Sequence, residues 1–188
     1  PSPTMGEALL KFDEGVVEIA DPKDNHGNVK PPIFGVGPFY VFFITLLAAA
    51  GIRISKTGYL DDGHIDPLKI PMYFMGTALL ASGVWLCLGA LKTGRLIKHI
   101  KERKLITDGV YAWVRNPLYT GITFIVTGFI FFENNLFLLT LIIFFWGIMT
   151  SSVKREERSL EKIFGEEYRS YKLKVNRCIP FPPKNRPF

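Results

Sequence analysis

Charge is what large parts of this 188-residue sequence lack. Four stretches, 33–52, 70–91, 116–132 and 134–153, contain no Asp, Glu, Lys, Arg or His, and they run to 20, 22, 17 and 20 residues. A helix crosses a bilayer with about 20 apolar residues, within a range of about 17 to 25, so all four qualify and the third only at the limit. A soluble fold of this size with four such runs would have little polar surface left. Cysteine is scarce: Cys87 and Cys178 offer neither a disulfide framework nor a CxxC or Cys/His ligand pattern, so both are expected to be reduced and no metal site is expected. The three histidines, His26, His64 and His99, stand apart from one another. No basic n-region, apolar h-region and cleavage site follows Pro1, which argues against secretion. No internal repeat stands out.

What is present is apolar and position-coded. Hydrophobic residues make up 48% of the chain and aromatics 14%, too apolar for disorder, while the net charge of +6 is concentrated in a few segments. Of the 23 lysines and arginines, 20 precede the first run, lie between the second and third, or follow the fourth. By the positive-inside rule that side is cytosolic, so both termini and the 92–115 loop are expected in the cytosol. The expected fold is an all-α integral membrane protein with four transmembrane helices, the last two a hairpin, and short cytosolic C-terminal helices. Residues 1–32, acidic and rich in turn formers, read as a cytosolic arm with a short helix over 5–12; residues 33–188 form the transmembrane domain. Only Glu133 separates the last two runs, so Glu133-Asn134-Asn135 is predicted to be a tight hairpin tip whose short polar side chains satisfy helix ends. The 92–104 loop alternates basic residues with Leu96, Ile97 and Ile100, consistent with a surface-lying segment or with a plain charge anchor. Gly147 and Ser151, four apart, are a weak helix-packing signal.

Two polar clusters flank the hairpin. In the first, Pro117 suits the opening turn of a helix and Asn116 is a natural N-cap. The first-turn amides carry partial positive charge, and Arg115 offers a bidentate fork for a carboxylate or phosphate. Tyr111, Trp113 and Tyr119 add flat faces at the depth that aromatics favour. Equally, Arg115 snorkels and the aromatics form a belt. In the second cluster Glu156, Leu160 and Phe164 share a helix face, with Glu157 one step round. Gly165 is a helix-ending residue, followed by a short helix carrying Tyr168 and Tyr171 and ending near Val175. One reading pairs the glutamates with Lys154, Arg155 and Arg158 at the surface, where such pairs are worth little; the other sets them against the arginine and tyrosines as a site for a zwitterionic or cationic ligand.

With Gly109-Val110-Tyr111, Arg115-Asn116-Pro117-Leu118-Tyr119-Thr120-Gly121 and Glu156-Glu157 through Leu160, Phe164-Gly165, Tyr168 and Tyr171, the sequence resembles the integral-membrane methyltransferases that include isoprenylcysteine carboxyl methyltransferase and the phospholipid N-methyltransferases. The resemblance covers 105–181. It implies a cytosol-facing S-adenosylmethionine pocket with Leu105 and Ile106 on the adenine side, contacts from Gly109, Tyr111, Arg115, Asn116, Pro117 and Tyr119, and Glu156 holding the cofactor's polar groups. Asn116 stands where the family commonly has His, removing a titrating group but keeping hydrogen-bonding ability. Ser152 stands where the eukaryotic prenylcysteine enzymes have an arginine that meets the substrate carboxylate; Arg155 or Arg177 are the substitutes, so these three are the substrate-side candidates.

The implied chemistry is methyl transfer to a lipophilic, membrane-embedded acceptor, carboxyl O-methylation ahead of lipid N-methylation. An activated methyl donor asks a carboxylate nucleophile for no general base, only alignment, for which Arg115 and Glu157 are candidates. None of the three histidines lies in either motif. Amine methylation needs a route for the lost proton, for which Glu157 or a tyrosine is the local candidate. A membrane sterol-type reductase, which would bind a nicotinamide dinucleotide, and a non-enzymatic membrane adaptor are the alternatives. The expected partners are the bilayer and a lipid-like or prenylated acceptor, with no nucleic acid; oligomeric state is left open.

Overall fold

The computed structural model describes residues 37–92 and 105–182. The predicted N-terminal arm with its helix over 5–12, His26, and the 93–104 segment with His99 lie outside the described residues. Among the described residues four helices carry the fold: α1 (Gly37–Ser55), α2 (Lys69–Lys92), α3 (Pro117–Phe132) and α4 (Leu136–Lys174). Short 3-10 turns at Asp61–Gly63, Asp66–Leu68 and Gly109–Ala112 stand in the connections, and among the described residues there is no strand. The all-α expectation holds, with α1, α2 and α4 each long and apolar enough to cross a membrane and α3 a shorter apolar helix. At 1.5 Å per residue α3 is about 24 Å long, short of a hydrocarbon core about 30 Å thick.

Burial separates the bundle interior from the face it offers to lipid. On α1 the buried residues are Tyr40, Ile44, Ala48 and Ser55, spaced by about a turn, whereas Phe39, Phe42, Phe43 and Leu46 are exposed. Such a ring of exposed large apolar side chains suits hydrocarbon and not water. Tyr40, Ile44 and Ala48 pack with Val126, Ile130, Phe145, Met149 and Val153 into a core shared by α1, α3 and α4.

The closest helix contact is between α2 and α3, and it is built on four glycines. Gly76 faces Gly128 and Gly83 faces Gly121, seven residues apart on each antiparallel helix. A Cβ at Gly83 would lie 2.6 Å from the Gly121 carbonyl oxygen, and one at Gly128 would lie 2.8 Å from that of Gly76. Without a hydrophobic effect between helices in lipid, such backbone-to-backbone approach is a principal source of packing energy. Gly147, singled out from the sequence, plays no such part: a Cβ there would meet nothing within 4 Å.

The hairpin tip forms where the sequence puts it. Asn134 adopts φ 46°, the left-handed region that asparagine tolerates, and Asn135 caps α4 by accepting from the Phe137 amide at 3.0 Å. Their amide nitrogens donate to Ile65 O at 2.9 Å and Leu60 O at 2.7 Å, pinning the first connection to the tip. At the other end of α4, Gly165 takes φ 53°, ψ −124° and breaks the helix, as its position predicts, before the last turns end at Val175.

Candidate active site

The first cluster is shaped by Gly109, whose φ of 60° starts the Gly109–Ala112 turn, and by Pro117 in the first turn of α3. Asn116 occupies the N-cap position, yet its side chain makes no capping bond; only its carbonyl accepts from the Thr120 amide. Its Nδ2 instead donates to Glu157 Oε1 at 3.3 Å and to Arg177 O at 3.2 Å. A buried carboxylate is a stronger acceptor than a neutral partner, and it draws the amide away from the helix end.

Glu157 is the centre of this arrangement, with only 2% of its surface exposed. Arg115 donates to its Oε1 through Nε at 2.9 Å, with Nη2 at 2.8 Å, and Arg177 Nε donates to Oε2 at 2.8 Å. Arg115 Nη1 donates to the carbonyls of Lys172 and Val175, and the Arg115 amide to Asn176 O at 2.9 Å. The Tyr171 hydroxyl donates to Tyr111 O at 2.6 Å. The two sequence clusters therefore clasp each other directly. Arg115 engages Glu157 and chain carbonyls, and neither glutamate is paired with Lys154, Arg155 or Arg158.

Glu156, one residue earlier, points elsewhere. It is half-buried and accepts from the Tyr119 hydroxyl at 2.5 Å. Burial raises its carboxyl above the ordinary range, and the bond from Tyr119 opposes the shift only in part. No cation among the described residues is paired with Glu156. Around Tyr119 lie residues that sequence reasoning missed: the Tyr40 ring at 5.6 Å, Thr123, which donates to Tyr119 O at 2.7 Å and bonds the Tyr40 hydroxyl at 2.7 Å, and Gly37, whose missing Cβ leaves room for the Tyr119 hydroxyl. Tyr40, the one tyrosine in the first apolar run, was the available signal.

The remaining candidates frame this centre. Leu105 packs against Tyr168, Tyr171 and Val175, and Ile106 is buried. Burial pushes the Tyr111 phenol up to about 12, and burial followed by the Glu157 charge raises Tyr168 further. Cys178 is buried against the α1, α3 and α4 core, its thiol pushed up to about 11. Of the substrate-side candidates, Arg177 is held by Glu157, whereas Ser152 and Arg155 line an open groove of about 600 Å³ on the outer face of α4.

The arrangement fits a group carrying positive charge beside polar donors and acceptors. Glu156 offers a carboxylate whose one partner among the described residues is a neutral phenol, so a cation placed there would gain a charge-assisted contact that these residues leave open.

The description "Phospholipid methyltransferase" belongs to the family that matches residues 71–167, just over half of the chain. Among curated proteins, the protein-S-isoprenylcysteine O-methyltransferase of Xenopus laevis is 34% identical over 136 residues, covering 68% of this chain and 46% of that protein. The protein of that name from Schizosaccharomyces pombe is 32% identical over 114 residues, covering 53% and 48%, and the human one 36% over 78 residues, covering 41% and 28%. The chain spans about half the length of the curated relatives it matches, or less. No solved structure matches.

Proposed function

From its place in the phospholipid methyltransferase family, to which this chain belongs, we propose that it transfers a methyl group from S-adenosylmethionine to the carboxylate of a lipophilic, membrane-embedded acceptor of the isoprenylcysteine type. The observation that carries this is the division of labour between adjacent glutamates: Glu157 is neutralised by two guanidiniums, and Glu156, at the end of the last span, has a phenol as its one partner among the described residues.

In this reading Glu156 holds the cofactor's cationic and hydroxyl groups, oriented by Tyr119. Pro117 sets the first turn of α3 so that its amides face an anionic group. Leu105 and Ile106 wall the adenine side, Gly109 makes the turn that brings Tyr111 inward, and Asn116 keeps its amide oxygen as an acceptor. Arg115 and Glu157 align the site by fixing the tail against the start of α3, with Arg177 as their second tie. Ser152, one turn before Glu156, and Arg155 receive the acceptor from the bilayer, and the active site faces the cytosol on the side that 20 of 23 basic residues occupy.

S-adenosylmethionine supplies a methyl group on a positively charged sulfur, so a carboxylate oxygen displaces a neutral thioether and no proton moves. Amine methylation would need a proton acceptor. Both oxygens of Glu157 are already engaged by Arg115, Asn116 and Arg177, which favours the carboxylate acceptor. The names of the relatives, all O-methyltransferases, point the same way. The test is binding and turnover together: calorimetry with S-adenosylmethionine on the full chain and on Glu156→Gln, and labelled-methyl transfer to a farnesylated cysteine. Equal affinity for both proteins, or reduction of a lipid substrate at the expense of a nicotinamide dinucleotide with no methyl transfer, overturns the proposal.

A further inference from the structure

The groove on α4 runs from Ile143 to Arg155. Twelve residues at 1.5 Å each make it about 18 Å long, a little more than half of a hydrocarbon core about 30 Å thick. Phe144, Gly147 and Ile148 form its apolar floor and walls, and the open space beside Gly147 is where a chain fits. Its other end is polar in a specific way. Ser151 returns its hydroxyl to Gly147 O at 2.9 Å, as helix serines commonly do, but Ser152 does not: only 6% exposed, its hydroxyl has no hydrogen-bond partner among the described residues and it lines the groove. Arg155 lies at the mouth, exposed, and neither it nor its neighbours Lys154 and Arg158 makes an ion pair among the described residues.

A groove-lining hydroxyl and an exposed guanidinium, neither partnered among the described residues, at the end of an apolar channel as long as one leaflet is deep, call for an amphiphile with an anionic head. A second copy of the chain fits less well. In a two-fold dimer within one membrane the α4 helices would run parallel and bring Arg155 against Arg155, with Lys154 and Arg158 adding to the repulsion. We propose that the α4 groove binds an anionic phospholipid of the surrounding bilayer, its acyl chain along Phe144–Ile148 and its phosphate on Ser152 and Arg155, and that this lipid competes with the methyl acceptor. The competition rests on the methyl-transfer reading; the lipid site does not.

Native mass spectrometry of the detergent-purified full chain, titrated with phosphatidylglycerol and with phosphatidylcholine of identical acyl chains, tests the site without any cofactor. Phosphatidylglycerol should be retained at least five-fold more strongly. Gly147→Leu, whose Cβ would meet nothing within 4 Å among the described residues and whose side chain extends from the groove's lining, and Arg155→Gln should each reduce that preference to under two-fold. Lys162→Gln, removing the same charge two turns further along α4, should leave it intact. Equal retention of the two lipids overturns the site, as does undiminished preference in Gly147→Leu, or displacement of the lipid by inorganic phosphate, which would indicate a headgroup patch alone. Loss of a dimer in Gly147→Leu would assign the groove to a second copy and overturn it too. In nanodiscs, raising the phosphatidylglycerol fraction should raise KM for a farnesylated cysteine with kcat constant. A fall in kcat at constant KM would overturn the competition, and absence of turnover with any acceptor would overturn the methyl-transfer reading while the binding result still decides the lipid site.

Discussion

Replacing Glu157 by Gln is expected to destabilise the protein far more than replacing Glu156 by Gln, although the two residues are neighbours on one helix. Glu157→Gln leaves Arg115, whose side chain is 6% exposed, and Arg177, at 32%, without their carboxylate. Removing one partner of a buried pair costs about 3–5 kcal/mol because the surviving charge stays desolvated. The partial exposure of Arg177 lets water relieve it, so the lower end, about 3 kcal/mol, is the better figure. At 1.4 kcal/mol per tenfold this is a change of roughly a hundredfold in the folding equilibrium. Glu156→Gln keeps an oxygen for the Tyr119 hydroxyl and gives up a half-buried charge. The cost there is within about 1 kcal/mol, the scale of one hydrogen bond. Thermal or chemical unfolding of both variants in detergent, followed by helical signal, measures the difference. Because the Arg115–Glu157–Arg177 tie holds 172–177 to the start of α3, limited proteolysis should detect release of the tail in Glu157→Gln first. A double replacement, Arg115→Met with Glu157→Met, should recover part of the loss, since an apolar pair of similar volume replaces a costly ionic one. Equal stability of the two single variants would refute the buried tie and with it the assignment of separate roles to the two glutamates.

Gly83→Ala should destabilise by about 1–3 kcal/mol, as its Cβ would press on the Gly121 carbonyl, whereas Gly147→Ala should be neutral or stabilising by up to about 1 kcal/mol from helix propensity; the same unfolding assay reads both. Cofactor binding should weaken as pH falls through the raised Glu156 value, because the carboxyl takes up a proton there and loses its attraction for a cation; calorimetry from neutral to acid pH checks this, and the dependence should vanish in Glu156→Gln. The same shift has a definite sign for stability. A carboxyl raised in the fold binds its proton more tightly than in the unfolded chain, so its ionised form costs stability above that value, and the cost is gone below the unfolded one. Single-cysteine labelling at positions 61 and 174, in a background without Cys87 and Cys178, should find 61 outside and 174 inside; labelling of both from one side would overturn the cytosolic assignment.

Most of the fold was legible because a bilayer leaves few solutions. Charge-free runs of about 20 residues have to be helices in lipid, and the four runs lie within a few residues of α1 to α3 and the first half of α4. The hairpin tip and the Gly165 break were legible for a local reason, since each depends on what one residue's own backbone tolerates. The glycine contact between α2 and α3 was not. Its signal is a seven-residue spacing on two separate helices, informative only once their antiparallel register is known, while the four-residue Gly147–Ser151 spacing is visible within one helix, yet a Cβ at Gly147 meets nothing within 4 Å among the described residues.

The site was legible as a set of residues and not as a set of partners. Periodicity places Glu156 and Glu157 about 100° apart on α4, so they have to serve different neighbours, but it does not say which neighbours. The neighbours come from the break at Gly165. It turns the last helical segment back so that Lys172, Val175 and Arg177 reach the start of α3, and Arg115 is drawn into that clasp because three acceptors converge on its guanidinium. Tyr119, one turn deeper in α3, is thereby left to Glu156, with Tyr40 of α1 behind it. The cationic demand of Glu156 thus depends on Glu157 being satisfied first. A loosened clasp would let Arg115 or Arg177 reach Glu156 and neutralise it. Stability of the tail and affinity for a cationic ligand are consequently coupled through two adjacent carboxylates: ligand binding should protect the tail from proteolysis in the unmodified protein and lose that effect in Glu156→Gln.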